Sequence, residues 1–394
     1  MWMQDVVLLS AKRTPIGTLA GSLSGFTAAQ LGTIAIKAAV AASGIDGEKI
    51  DDVIMGQVLT GGAGMNPARQ ASRNAGIPDQ VPAATINQVC GSGLRAIMLG
   101  AQQIQTGIAD FVVAGGQESM TNAPHVANIR QGKKSGNLDF VDSMMFDALT
   151  DAFFNYPMGH TAENVAKKYS LSRQEQDEFA CLSQHKAAAA QAAGFFAKEI
   201  VPIELKTRKS TTMFEADEAV RGDSQIEVLS KLRPIFDAEG SVTAANSSGI
   251  NDGAAAVVLA NADIAAREGL NPIAQICAFA HTGLDPAYMG LGPISATRLV
   301  AQRAGWSLDQ VDLFEFNEAF AAQSLAVVKE LAVDPKKVNI HGGAIALGHP
   351  VGMSGTRVLG TLAHALEQRG GGRGIASLCI GGGMGIAMAI QVGE

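Results

Sequence analysis

The 394-residue chain carries its own pattern twice. "SGIDGEKIDDVIMG" (43–56) aligns with "AGWSLDQVDLFEFN" (304–317), setting Gly44 over Gly305. "CGSGLRAIMLGAQQIQTGIADFVVAGG" (90–116) aligns with "VGMSGTRVLGTLAHALEQRGGGRGIASLCIGGG" (351–383), setting Ser92-Gly93 over Ser354-Gly355. The two registers, 261 and 262 residues, agree to within one position. Each copy reads as a Ser-Gly helix start, a helix, a charged or glycine-rich turn, a strand and a glycine pair. Matches in one register point to a duplicated βα unit rather than to chance recurrence of strand and helix patterns. A chain built this way must pack two like halves against each other.

Short β-branched runs alternate with longer helical patterns, which predicts an α/β protein with helix-covered sheets. Strands are predicted at 6–10, 52–57, 111–114, 257–260, 272–281, 313–317, 375–380 and 386–392. Helices are predicted at 28–43, 94–106, 173–193, 295–304, 318–331 and 354–368. Between the copies, residues 120–249 are more charged and irregular. They read as an insertion leaving the C-terminal side of the first sheet, where ligands bind in such folds. The expected division is 1–119 with 250–272 as one half, 120–249 as a loop domain, and 273–394 as the other half.

Composition removes several function classes. With 47% hydrophobic and 17% charged residues the chain has enough apolar side chains for a packed core. A formal charge of −7 opposes binding to nucleic acid or an anionic membrane. There is no apolar run of transmembrane length, and neither "MWMQDVVLLSAKRTP" nor the terminal "QVGE" matches a targeting signal. Four scattered cysteines without a CxxC pair do not form a disulfide framework, and a reducing cytoplasm is expected. The seven histidines show no zinc-ligand spacing, so no metal is expected. "GGGMG" lacks the third glycine and the following helix of a dinucleotide fingerprint. "GGAGMNPAR" lacks the Lys-Ser/Thr of a phosphate loop.

Chemistry-bearing residues recur at predicted strand ends. Cys90 in "NQVCGSGL" precedes a helix start, where free backbone N–H groups would favour a thiolate and lower its pKa. It reads equally as a buried structural cysteine. Cys379 in "SLCIGGGMG" is by itself a strand core residue, but the repeat aims it at the same crevice. His349 in "GGAIALGHPVGMSG" is fixed by Pro350 and five surrounding glycines, and could hold a thiol's proton. Asn317 either caps the following helix or offers its amide to a ligand or water. Glu318 is either a first-turn charge or an orienting group. Two thiols, an imidazole and an amide suggest covalent acyl transfer with a second proton-transfer group.

Seven segments in order, "NQVCGSGL", "GGQESM", "MGHTAENVA", "NSSGINDGAAA", "EFNEAFAAQ", "GGAIALGHPVGMSG" and "SLCIGGGMG", resemble the thiolases over essentially the whole chain, and within them the acetyl-CoA acetyltransferase (acetoacetyl-CoA thiolase) branch. The resemblance implies two similar halves in an αβαβα layering, an inserted loop domain for coenzyme A, and a homotetramer or dimer. It implies Cys90 as the acylated nucleophile and His349 as its activator. Asn317 would hold a water at the thioester oxygen, and Cys379 would be the acid/base of the condensation. The N–H groups of Cys90 and Gly381 would form an oxyanion site. For coenzyme A it points to Ser248 and Arg221, with Leu149, Met158, Phe236, Ala244, Ala319 and Phe320 lining the pocket. No cofactor is implied, because acetyl-CoA, acetoacetyl-CoA and CoA are themselves the substrates.

A 3-ketoacyl-CoA thiolase for longer or functionalised chains is the alternative. A ketoacyl synthase would carry a second histidine in place of Cys379, and a non-catalytic acyl-CoA carrier would not need both cysteines. The sequence departs from the family pattern at Pro157 and His160, around a pantetheine contact. It also departs at Met353 and Thr356, whose bulk is expected to reshape the acyl pocket.

Overall fold

The computed structural model describes residues 4–206 and 210–393, so the terminal residues 1–3 and 394 lie outside the described residues. Among the described residues the central sheet has ten strands, a two-residue piece at Gly17–Thr18 that pairs with Asn251–Asp252 and nine that follow one path. The nine are β1 (Val6–Arg13), β2 (Asp52–Gly56), β3 (Ala83–Ile86), β4 (Phe111–Ser119), β5 (Asn251–Asn261), β6 (Ala274–Gly283), β7 (Leu313–Phe316), β8 (Gly372–Ile380) and β9 (Met384–Val392). Their spatial order is β7-β8-β9-β6-β1-β5-β4-β2-β3.

The duplication is visible in this order. In the first half β2 runs parallel to β4, β4 antiparallel to β5, and β5 antiparallel to β1. In the second half β7, β8, β9 and β6 repeat those senses in turn. A parallel bridge from Phe314 to Val338 stands where β3 pairs with β2 in the first half. The halves join edge to edge through a short antiparallel match, Val6 to Leu8 against Ala274 to Ile276. Residues 120–250 leave from the end of β4 and return into β5, which pairs with it directly.

Because a strand turns alternate side chains to opposite faces, each sheet can feed two cores. Val53, Val113 and Val258 face an outer core with Leu31, Ile36, Ala68 and Ala71 of the first-half helices. On the far side, Phe314, Ile375 and Ala387 meet Val300, Ala326 and Val327 of the second-half helices. Val112, Leu259, Leu378 and Ile390 face inward onto two central helices, Ser92–Gln105 and Ser354–Gln368. The layering is therefore helix, sheet, helix, sheet, helix. The Ser354–Gln368 helix is buried on every side from Ser354 to Leu366, as a helix sandwiched between two sheets must be.

The repeated Ser-Gly pair has a packing cause. A Cβ on Gly93 would lie 2.6 Å from Thr356 Oγ1 and 2.9 Å from the Thr356 backbone nitrogen. A Cβ on Gly355 would lie 2.3 Å from the Leu94 nitrogen. The two central helices thus meet backbone to backbone at their N-termini. Thr356 stands in this contact, whereas Met353 packs against β5, its Sδ 2.8 Å from where a Cβ on Gly253 would be.

Several predicted boundaries shift. The strand predicted at 111–114 runs on to Ser119, and the one predicted at 257–260 begins at Asn251. The helix predicted from 318 begins at Ala321, because Phe320 is extended and bridges to Ser247. Asn317 therefore caps no helix. The insertion is clamped to β1 by the buried Arg13 guanidinium, whose Nη atoms donate to Asp217 at 2.7 and 2.8 Å and whose Nε donates to Glu199 at 2.7 Å. Among the described residues, no helix is long and apolar enough to cross a membrane.

Alanine normally favours a helix over glycine by about 1 kcal/mol. Here Gly355→Ala is expected to destabilise the protein by about 1–3 kcal/mol in denaturant unfolding, because the methyl group overpacks the crossing. Equal or higher stability would show that the helices do not meet at that distance.

Candidate active site

Cys90 sits on a tight turn between β3 and the first central helix. Gly91 N–H donates to Gln88 O at 3.0 Å, and Ser92 Oγ donates to Val89 O at 2.7 Å. A Cβ on Gly91 would strike Ile380 Cδ1 at 2.3 Å, so this turn rests on the end of β8 from the other half. Two backbone N–H groups reach the Cys90 sulfur, one from Gly381 and one its own. Leu149 packs beside it with Val58, Leu59, Met120 and Val351.

The helix start was expected to lower the thiol's pKa. The structure reverses that expectation. Burial dominates, and the thiol is pushed up to about 11 despite the two N–H groups, with the Glu118 carboxylate adding to the rise. Glu118 itself is buried without a cation. It accepts from the N–H groups of Val58, Leu59 and Gly352, and burial pushes it up to about 7.

His349 is buried on the loop before the second central helix. Its backbone N–H donates to Asn251 Oδ1 at 2.9 Å, and its Nδ1 lies 2.6 Å from Ser354 Oγ. The Ser354 hydroxyl proton goes to Pro350 O at 2.9 Å. The hydrogen-bond network therefore assigns the His349 proton to Nδ1, which donates to Ser354 and leaves Nε2 as a bare acceptor. Asn317 Nδ2 faces that Nε2 at 3.3 Å, and Asn317 Oδ1 is buried with no partner. Burial, helped by the Arg357 charge, lowers the imidazole to about 3, so it is neutral at physiological pH.

Cys379 closes the set. It is 1% exposed and clusters with Met289, Ala319, Met158 and Phe320. Burial raises its pKa strongly, and the neighbouring Cys90 raises it further. The two sulfurs, 289 residues apart in sequence, thus lie close enough for charge on one to be felt by the other. Glu318 is not a first-turn helix charge. It is a buried carboxylate receiving Ser183 Oγ at 2.6 Å and Asn339 Nδ2 at 2.8 Å, and it anchors the strand end that carries Asn317.

The expected coenzyme A residues fall into two groups. Arg221 and Ala244 line an open groove of about 750 Å³ with Ser247, Gly249 and Leu232. Ser247 lines this groove, whereas Ser248 uses its N–H to hold Ala319 O at 3.0 Å. Met158, Ala319 and Phe320 lie at Cys379, and Phe236 meets Phe320 edge-on at 6.4 Å. Sequence reasoning missed Ser354, Asn251 and Glu118. Ser354 was in view as a helix start, and its spacing of five from His349 was the available signal.

Among the described residues, no group of three or more His, Cys, Asp or Glu could hold a metal ion. The family description "Thiolase, N-terminal domain" matches residues 6–263, and "Thiolase, C-terminal domain" matches residues 270–392. The chain belongs to the thiolase family. This thiolase is 53% identical over 387 residues to the acetyl-CoA acetyltransferase of Rhizobium meliloti, covering 98% of each chain. Its fold matches that of the Bacillus anthracis acetyl-CoA acetyltransferase with a TM-score of 0.97, at 42% identity and 99% coverage of both chains. It also matches human mitochondrial 3-ketoacyl-CoA thiolase solved in complex with CoA. There the TM-score is 0.95 and the identity 44%, covering 99% of this chain and 98% of the other.

Two measurements check the site. Removing the acceptor that fixes the thiolase's imidazole, Ser354→Ala, is expected to lower kcat about 10- to 100-fold, the equivalent of one strong hydrogen bond, with KM little changed. Wild-type kcat would refute the assigned tautomer. Separately, His349 is neutral in the fold down to about pH 3, whereas in the unfolded chain it takes a proton near 6.5. Its presence therefore costs stability as pH falls from about 6.5 towards 3, at up to about 1.4 kcal/mol per pH unit. The stability difference between His349→Asn and wild type should shift in the variant's favour across that window; a pH-independent difference would contradict the buried, neutral imidazole.

Proposed function

We propose that this protein is an acetyl-CoA C-acetyltransferase. It joins two acetyl-CoA into acetoacetyl-CoA and CoA, reversibly, through an acetyl-cysteine. The observation that carries the reading is the contact of Gly381 N–H with the Cys90 sulfur, two residues beyond a second buried thiol. A cysteine hydrolase needs one thiol. A Claisen condensation needs an acyl carrier and a separate base for a carbon acid.

In the first half-reaction Cys90 gives its proton to His349 Nε2 as its sulfur attacks the acetyl-CoA carbonyl. The thioester oxygen collects negative charge next to Asn317 Nδ2 and the new imidazolium N–H. The unpartnered Asn317 Oδ1 supports the reading that a water is held there. The C–S bond to CoA then breaks, and the departing sulfur takes its proton from Cys379. In the second half-reaction the Cys379 thiolate removes a proton from the methyl carbon of a second acetyl-CoA. That carbanion attacks the acetyl-cysteine, whose oxygen lies between the N–H groups of Cys90 and Gly381. Release of acetoacetyl-CoA returns the Cys90 sulfur to its thiol with the proton from His349. A thiol whose pKa is raised by burial is a strong base once deprotonated, which suits a weakly acidic C–H bond. The residues supply nucleophile, bases and oxyanion donors, and the reaction as drawn calls on no cofactor.

The groove at Arg221 and Ala244 supports binding of the nucleotide end of CoA, with the pantetheine running past Phe236 and Phe320 to the cysteines. The free thiols Cys90 and Cys379 work only when reduced, which fits a cytoplasmic enzyme. We also assign a homotetramer, with a dimer as the lesser assembly. The supporting features are the unpaired edge of β3 and the exposed Ile129, Phe140, Phe146 and Phe153 on the insertion. The pathway served is assigned to lipid and fatty-acid metabolism through these substrates.

Incubation with acetoacetyl-CoA and CoA should yield acetyl-CoA. Cys90→Ala should abolish turnover, and Cys379→Ala should lower it at least 1000-fold while still permitting acetylation of Cys90. Turnover surviving Cys90→Ala would refute the mechanism, and faster turnover of eight-carbon 3-ketoacyl-CoA than of acetoacetyl-CoA would favour the longer-chain thiolase.

A further inference from the structure

The residue before the nucleophile is in the wrong backbone region for its type. Val89 has φ +47°, and of the seven non-glycine residues with positive φ among the described residues it alone is β-branched. In that region the branched Cβ crowds the following carbonyl, so glycine or asparagine would be the relaxed choice. The turn is held by its neighbours. Val89 N–H donates to Asn87 Oδ1 at 2.8 Å, Ser92 Oγ donates to Val89 O at 2.7 Å, and Gln88 N–H donates to Ser92 Oγ at 2.8 Å. None of these bonds needs a valine side chain, so the strained isopropyl group must answer to something else.

Part of the answer is the central core, against which Val89 packs half-buried, and part lies at Gly381. Val89 Cγ1 lies 3.5 Å from the place a Cβ would occupy on Gly381, and Met158 Sδ lies 3.3 Å from the same place. Gly381 is the residue whose N–H meets the Cys90 sulfur. Val89 and Met158 therefore flank the donor that would hold the oxygen of an acyl group on Cys90. The carbon next to that carbonyl is one bond from it, so a branch there would have to be accommodated beside this donor.

We propose that Val89 is a specificity-determining residue, its isopropyl group closing the space beside Gly381 and so restricting the acyl group carried on Cys90 to one unbranched at the carbon next to the carbonyl. This rests on the acyl-cysteine reading above. The acyl group transferred from acetoacetyl-CoA is acetyl, which has no branch. From 3-oxopentanoyl-CoA it is propionyl, and from 4-methyl-3-oxopentanoyl-CoA it is isobutyryl, branched at the restricted position.

The test is the ratio of kcat/KM for CoA-dependent cleavage of 4-methyl-3-oxopentanoyl-CoA to that of acetoacetyl-CoA. Val89→Ala keeps the strained backbone and removes the wall, and Val89→Gly removes both. Each is expected to raise the ratio at least tenfold, with Val89→Gly unfolding at the higher temperature of the two. Val89→Thr, which keeps the branched shape, should hold the wild-type ratio. Val89→Ile adds bulk without changing the branch at Cβ, and should lower the ratio of 3-oxopentanoyl-CoA to acetoacetyl-CoA several-fold. An unchanged ratio in Val89→Ala and Val89→Gly overturns the proposal. Should those two not fold, an unchanged propionyl ratio in Val89→Ile overturns it. Failure of the wild type to cleave acetoacetyl-CoA at all would instead refute the underlying function, so the two failures are distinguishable.

Discussion

Two helix N-termini meet with no side chain between them, and the rest of the molecule is arranged around that contact. Gly93 and Gly355 each sit where a Cβ would enter the other helix's backbone. Cys90 stands three residues before one of them and His349 six residues before the other. A bulkier crossing would push the halves apart, and the nucleophile turn would lose its seat on Ile380 and Gly381. The duplication is thus more than an architectural echo. It supplies two equivalent helix starts that only pack closely because both begin with a small pair.

Burial then determines the chemistry. Cys379 and His349 are buried and Cys90 is partly so, and desolvation drives each to its neutral form. A preformed thiolate–imidazolium pair is opposed by a thiol held near 11 and an imidazole held near 3. Charge is expected to develop only when a thioester carbonyl stands between the sulfur and its donors. In a dry site those donors are worth more than in water, so the energy of burial is returned in the transition state rather than in the resting enzyme. Neighbouring buried groups follow the same rule. Glu118 is pushed up to about 7, and Glu315 to about 8 even beside Arg357.

Much of this was legible in the chain because it is written in local pattern. The repeat register located both central helices, and the glycine-flanked Cys90, His349 and Cys379 stood at ends of apolar runs. What was not legible depends on partners distant in sequence. Asn251 holds the His349 backbone across 98 positions, and Glu118 draws Gly352 to it across 234. The strand before Cys90 was legible but its bounds were not, because the four residues of β3 carry too little periodicity and its pairing with β2 defines it. The thiol's pKa was misjudged for a related reason. The helix start is a local feature, but the burial that outweighs it is produced by the opposite half.

The most direct check of this account is the pH dependence of Cys90 alkylation in the free enzyme, following the Cys90 peptide by mass spectrometry after brief iodoacetamide treatment. The account predicts a rate still rising above pH 9, without a plateau at neutral pH. A rate already level below pH 7 would mean that a resting thiolate exists, and that charge separation precedes the substrate.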